Sequence, residues 1–150
     1  MALFGSLRNK AERVARIELD KELSKIHRKP YVEDEIIRLN TDEQLLGKGI
    51  DSEGVRLDSI GGGYAESTIQ QKIADSLPID RVTLFQEGDF YESFSVDVFA
   101  GGFEIVADTV KESQDLRDRW GENLLGLTAE SIEDLQVLTT EELRHSFSRF

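Results

Sequence analysis

The hydrophobic positions of residues 1–30 recur at the spacing of an α-helix, with good helix formers between them. The stripe that they form contains Leu7, Ala11, Val14, Ala15, Leu19 and Ile26. This pattern predicts one helix over residues 6–28. The helix should end before Pro30, because the residue that precedes a proline is pushed out of helical geometry.

A second helix is predicted over residues 32–46, where apolar residues recur at three- and four-residue steps. Glu43 interrupts its apolar face, so we expect this helix to pack without deep burial. Residues 47–63 then carry six glycines and few apolar residues, which is typical of a long loop. A short helix over residues 65–74 and an extended segment over residues 81–85 are expected to follow.

A β-hairpin is predicted over residues 94–108. Apolar and polar residues alternate there with period two, which indicates strands with one solvated face. Between the strands, Gly101 and Gly102 supply the positive backbone angles that a tight turn requires. We expect five side chains to face the core: Phe94, Val96, Val98, Phe103 and Ile105.

The C-terminal third is predicted to be helical. A segment over residues 111–120 should end at Gly121, and Thr128 is placed to cap a helix over residues 129–138. Thr139 and Glu142 have the spacing of a capping box for a last helix to Phe150. The core residues expected here are Leu116, Trp120, Leu124, Leu127, Ile132, Leu135, Leu138 and Leu143.

The predicted fold class is therefore α+β, with long N-terminal helices and C-terminal helices packed on a small antiparallel sheet that contains the hairpin.

Charge is distributed unevenly along the chain. Residues 1–30 hold eight of the 18 Lys and Arg but four of the 30 Asp and Glu, which leaves +4 there and -16 on residues 31–150. We interpret residues 1–30 as a basic helical arm and residues 31–150 as a single acidic domain. Such a split favours docking of the arm on an acidic partner or on an identical neighbour.

The composition offers little catalytic chemistry. The chain has no cysteine, which excludes disulfides and thiolate nucleophiles and favours a reducing compartment. His27 and His145 are interpreted as surface residues, and the acidic cluster Glu87, Asp89 and Glu92 as a solvated turn, because no basic partner is near in the sequence. The glycine-rich loop lacks the residue order of a phosphate-binding or calcium-binding loop. We therefore predict no enzyme, no cofactor, no metal site and no association with a membrane.

Three segments follow one another in a distinctive order: GIDSEGVRL, then GGYAESTIQQK, then GDFYESFSV, in which Gly88, Phe90 and Ser93 occupy three marked places. This order, within residues 44–120, resembles the tail-completion or head-to-tail joining (neck) proteins of tailed bacteriophages. The chain departs from the family's pattern twice, since Phe90 stands where leucine is usual and Glu87 where threonine is usual. The later WGENLLGLTAESIEDL is similar to an ending of such proteins in phages of Bacteroidetes hosts.

The resemblance implies a structural virion protein of the phage neck or tail, made in the cytoplasm of the bacterial host. Copies of it would form a ring that joins head and tail or completes the tail, beside portal, neck or tail proteins. DNA would pass through without tight binding, because acidic surface repels phosphate. We predict that the arm makes inter-subunit contacts through Arg8, Arg13, Val14, Arg16 and Lys21.

Two other hypotheses stay open. An acidic binding or inhibitor protein could mimic nucleic acid and act on a host protein. The basic first helix speaks against this hypothesis, because a mimic gains nothing from eight cations. A regulator whose basic helix contacts DNA is disfavoured, since that helix lacks an aromatic or Asn/Gln-rich stretch that would contact bases.

Overall fold

The computed structural model describes residues 2–148, with side chains from residue 6 onward. Its helices in chain order are α1 (Ala2–His27), α2 (Pro30–Arg38), a π-helix (Leu39–Lys48), α3 (Leu57–Gly61), α4 (Glu66–Ala74), α5 (Asp89–Glu92), α6 (Leu116–Trp120) and α7 (Ala129–Phe147). The strands are β1 (Ser95–Phe99), β2 (Gly102–Val106), β3 (Val110–Lys111) and β4 (Gln114–Asp115), and they form two antiparallel pairs within the described chain. The α+β fold class is confirmed.

Helix α2 and the π-helix lie at the centre of the core. Val32 and Ile36 are fully buried on α2, and Leu45 is fully buried on the π-helix. The prediction that this segment would pack without deep burial is wrong. Its backbone changes to wider π-helical turns at Leu39, which alters the angle between successive side chains and brings a different set of residues to the core. The interrupting Glu43 is thereby left half-buried at the edge.

Two buried amides of the π-helix hold the loop that precedes α7. The Asn40 side chain donates from Nδ2 to the carbonyl of Leu124 (3.1 Å) and accepts at Oδ1 from the N–H of Gly126 (2.7 Å). The Gln44 side chain donates from Nε2 to the carbonyl of Gly126 and accepts at Oε1 from the N–H of Thr128, both at 2.9 Å. These four bonds fix the start of α7 to the π-helix.

The hairpin of β1 and β2 agrees with its sequence pattern. Val96 pairs with Ile105 and Val98 pairs with Phe103, while the alternate residues of both strands are exposed, apart from Gly102 at the turn. The turn lies one residue earlier than predicted. It consists of residues 100 and 101, and the positive φ of 82° belongs to Gly101.

The segment predicted to be extended, residues 81–85, does not pair as a strand in the described chain. Side chains hold its backbone instead. The Tyr64 hydroxyl accepts from the N–H groups of Thr83 (2.8 Å) and Leu84 (3.2 Å), and the Lys72 ammonium donates to the carbonyl of Phe85 (2.6 Å). Leu84 has a positive φ of 59°, which a regular strand does not permit.

The glycine-rich segment over residues 47–63 is more ordered than a solvated loop. Asp51 is buried, and its Oδ1 accepts from the N–H groups of Glu53 (3.0 Å) and Val55 (2.9 Å), so it closes a turn. Helix α3 follows this turn. A side chain at Gly61 would lie 2.6 Å from the ring of Trp120, so glycine is required for this close approach.

The helix expected over residues 111–120 is shorter than predicted. Residues 110–115 form the small β3–β4 hairpin, because Glu112 and Ser113 both adopt positive φ, of 50° and 66°. Helix α6 begins after this hairpin. Its N-cap is Asp115, whose carboxylate accepts from the N–H of Arg117 (3.0 Å).

Helix α7 begins as predicted, with the Thr128 hydroxyl accepting from an N–H of the first turn. The predicted break at residue 139 is wrong. Thr139 lies inside the helix, and its hydroxyl donates to the carbonyl of Leu135 one turn back (3.0 Å). Ile132, expected in the core, is 43% exposed, and the predicted end at Phe150 lies outside the described residues.

Replacement of Ile36 by alanine should lower the free energy of unfolding by about 2–5 kcal/mol, because it leaves a cavity in the fully buried centre. The matched control is Ile73→Ala on α4, where the side chain is 58% exposed and a change of about 0.5 kcal/mol or less is expected. Urea unfolding of the two variants measures both values. Equal losses of unfolding free energy in the two variants would show that Ile36 does not lie in the core.

Replacement of Asn40 by leucine should lower the free energy of unfolding by about 2–5 kcal/mol, because the Leu124 carbonyl and the Gly126 N–H lose their partners in a buried place. Asn123→Leu is the matched control, since Asn123 is exposed. Denaturant midpoints and slopes of the two variants measure the difference. A variant of Asn40 as stable as that of Asn123 would contradict the role given to these bonds.

Candidate assembly surface

The free part of α1 is the first candidate surface. Every side chain from residue 6 to residue 19 is exposed. The apolar Leu7, Val14 and Ile17 expose 55%, 59% and 53% of their surface. A helix gains most of its stability from packing, and apolar residues clustered on one exposed helix indicate a contact site. This segment therefore presents an unpartnered helix face.

The last turns of α1 contact the body. Ile26 is buried, and the Ser24 hydroxyl donates to the carbonyl of Phe99 (3.1 Å). His27 is buried as well, with its ring edge-on to Phe103 at 5.0 Å between centroids. The prediction that His27 lies at the surface is wrong, because the hairpin covers it. The exposed part of α1 thus ends near residue 20, well before the boundary that charge suggested at residue 30.

The five arm residues predicted to form an interface do not share one face of α1. At about 100° per residue, Val14 and Lys21 lie on one side, Arg13 lies beside them, and Arg8 and Arg16 point elsewhere. The side of α1 that carries Val14 also contains the residues that recur from it at steps of three and four. We call this set the α1 stripe: Leu7, Lys10, Val14, Ile17 and Lys21.

The exposed side of α7 is a second candidate surface. Leu135 is buried against the body, and Val137, on the opposite side of the helix, is 63% exposed. Acidic residues surround this valine along most of the helix. We call this set the α7 outer face: Glu130, Glu133, Asp134, Val137, Glu141 and Arg144, all exposed. The sequence pattern did not identify this face, although its residues recur at three- and four-residue steps. The face can be recognised only when Leu135 is known to lie on the buried side of α7.

The motif residues Gly88, Phe90 and Ser93 are brought together at α5, and they hold the fold together. Gly88 starts the helix with a φ of 88°, and Phe90 is buried in the core. The Ser93 hydroxyl donates to the Phe90 carbonyl (2.6 Å) and accepts from the N–H of Asp108 (3.0 Å). The three residues thus tie α5 to the end of the hairpin.

A buried lysine is a polar centre that sequence reasoning did not find. Lys72 is 2% exposed, and its Nζ lies 4.6 Å from the centre of the Tyr64 ring. Together with its bond to the Phe85 carbonyl, this contact offsets the cost of burying a cation. The lysine therefore fastens α4 to residues 83–85.

The acidic turn is exposed as predicted, but the expectation that it has no basic partner is wrong, because Asp89 forms an ion pair with Lys111 at 2.8 Å. This lysine lowers the pKa of the Asp89 carboxyl.

Within residues 2–148, no three His, Asp or Glu side chains lie close enough together to hold a metal ion. None of the helices in that range is both long enough and apolar enough to cross a bilayer.

A groove of about 470 Å³ lies beside β2, lined by apolar Phe103, Ile105 and Ile132 together with charged Arg117 and Glu122. Comparisons with family models, with curated proteins and with solved structures give no match. The candidate surface is therefore defined by geometry and charge, as the α1 stripe and the α7 outer face.

The buried His27 should make the protein less stable on acidification. Burial lowers its pKa below the usual 6.5, and its Nδ1 has no hydrogen-bond partner within residues 2–148. The folded protein therefore keeps a neutral imidazole while the unfolded chain takes up a proton. The stability that neutral His27 contributes is present above about pH 6.5 and is lost as the pH falls through that value to the lowered pKa.

Thermal unfolding from about pH 8 to pH 5 measures this effect. The variant His27→Gln should lose the part of the pH dependence that begins near neutrality. The control His145→Gln should keep it, because His145 is exposed. If wild type and His27→Gln gave parallel curves, the buried imidazole would not be the cause.

Proposed function

We propose that this protein is a structural virion component of a phage neck or tail, and that its copies form a ring that joins head and tail or completes the tail. The observation that carries the proposal is the free segment of α1, whose side chains from residue 6 to residue 19 are all exposed. A helix of this length is marginal in water by itself. Contact with another copy would supply the packing that its own body does not.

Charge supports contact between copies. The arm is basic and residues 31–150 are strongly acidic, so the arm of one copy is attracted to the body of the next. A contact between two different surfaces of identical subunits closes into a ring when the rotation between subunits permits. The proposal requires no cofactor and no catalysis, and it agrees with the resemblance of residues 44–120 to phage neck proteins.

The acidic body also suits the passage of DNA. A channel through which DNA slides should not bind phosphates, and carboxylates repel them. Portal, neck or tail proteins above and below the ring would be the remaining partners. In this arrangement the cations on the contacting side of the arm are covered by neighbouring copies and are kept away from the DNA.

A second candidate is an acidic protein that mimics nucleic acid and occupies a host DNA-binding protein. The observation that favours it is the row of exposed carboxylates on the α7 outer face. A mimic would be a monomer or dimer that captures a host protein and is absent from particles. The basic free segment of α1 has no role in this candidate.

Mass spectrometry of purified phage particles tests the proposal. The chain should be present in several copies per particle, and size-exclusion chromatography should show oligomers whose abundance rises with protein concentration. A chain that is absent from particles would refute the structural role. Capture of a host DNA-binding protein by the same preparation would then favour the mimic.

Reversal of two arm charges, Arg13→Glu together with Lys21→Glu, should weaken oligomer formation and incorporation into particles. The melting temperature should change little, because both side chains are exposed. The loss should shrink at high salt, since exposed charges are screened there. Lys111→Glu, on the β3–β4 hairpin of the body, is the control and should leave assembly unchanged. If the arm variant formed oligomers and entered particles as well as wild type does, the arm would not be part of the interface.

A further inference from the structure

We propose that the α1 stripe of one copy binds the α7 outer face of a neighbouring copy, with the two helices antiparallel. This inference rests on the proposed ring and names the two surfaces that form it. Its first support is that both surfaces are free within one chain. Leu7, Val14 and Ile17 are exposed on α1, and Val137 is exposed on α7.

The charges of the two surfaces are opposite, and their spacing is the same. On α1, Lys10 and Lys21 stand eleven residues apart, and on α7, Glu130 and Glu141 stand eleven residues apart. Both distances correspond to about 16 Å along a helix. Two such helices can therefore form both ion pairs at once.

In one antiparallel register, two ion pairs and one contact between valines form together. When Lys21 lies opposite Glu130, Lys10 lies opposite Glu141, and Val14 lies opposite Val137. The two exposed valines thus meet between two ion pairs. Burial of their apolar surface and attraction between the flanking charges then act at the same place.

The parallel arrangement is less favourable. With the two valines again opposite each other, Lys10 would meet Glu133, but Lys21 would meet Arg144, which has the same charge. Parallel helices also place like ends of their dipoles side by side, whereas antiparallel helices place opposite ends together. Charge therefore selects the antiparallel orientation.

The existing contacts of these charges do not prevent the pairing. Glu130 contacts Lys48 at 3.2 Å and Lys21 contacts Glu18 at 3.5 Å, both at the surface. Such exposed pairs contribute little and exchange easily. Glu133 and Glu141 have no ion-pair partner among the side chains from residue 6 to residue 148.

Disulfide trapping tests the pairing directly, because the natural chain has no cysteine. Full-length Val14→Cys and Val137→Cys proteins of different tag length are mixed under oxidising conditions at a concentration where wild type is oligomeric. A disulfide requires the two Cα atoms to lie within about 7 Å. The expected main product is the mixed dimer. Its disulfide always joins two copies, because the two cysteines are on different proteins.

Val110→Cys replaces Val137→Cys in the control mixture, because Val110 is an exposed valine on β3 and belongs to neither proposed surface. This mixture should give little mixed dimer. A predominance of Val14→Cys homodimers would show that arms pair with arms and would overturn the inference. Failure to detect any mixed dimer, or any wild-type oligomer, would overturn it as well.

Charge exchange separates this interface from a general effect of arm charge. Lys10→Glu with Lys21→Glu should weaken association by roughly tenfold, since two attractions become repulsions. Arg8→Glu with Arg16→Glu changes the charge equally on other sides of α1 and should weaken association less. Adding Glu130→Lys and Glu141→Lys to the first variant should restore association. Absence of that restoration would overturn the register.

A failure of the α1–α7 interface can be distinguished from a failure of the proposed function. Presence of the chain in purified particles supports the structural role whatever the trapping shows. Particles that contain the chain, combined with absent trapping, would leave the neck or tail role standing and remove the α1–α7 interface. Oligomers with trapping, combined with absence from particles, would support the interface and refute the virion role.

Discussion

Four hydrogen bonds from two buried amides determine how the C-terminal part of the protein is placed. Asn40 and Gln44 each use a donor and an acceptor on the backbone between Leu124 and Thr128, at 2.7 to 3.1 Å. Buried amides that lack such partners would cost free energy, so the pairing is specific for this loop. Helix α7 starts where the loop ends. Its inner side therefore packs on the core, and its acidic outer side is left in solvent.

The N-terminal helix changes its environment along its length. Its last turns are covered by the hairpin and by α7, and Ile26 is buried among them, whereas the segment before residue 20 is exposed. Such a helix is held at one end and free at the other. Its free end carries both charge and apolar surface, which suits a contact with another molecule better than a contact with solvent. An assembly that uses it would join subunits through an element rooted in the core.

The three motif residues of α5 have a structural role in this chain. Gly88, Phe90 and Ser93 turn the chain into α5 and tie it to the end of the hairpin, and Phe90 also fills the core. Residues of this kind determine a fold, whereas contacts between copies depend on surface residues elsewhere. The proposed interface therefore rests on residues other than these three.

The sequence by itself determined the elements whose pattern is local. Period-two alternation placed the β1–β2 hairpin, Pro30 marked the end of α1, and Thr128 marked the start of α7, because strand faces, proline sterics and capping depend on neighbouring residues. Tertiary structure decided the rest. The π-helix turns Asn40 and Gln44 to partners more than eighty residues away, and the hairpin buries His27 beside Phe103. These outcomes depend on what packs against a residue, and spacing along the chain does not contain that information.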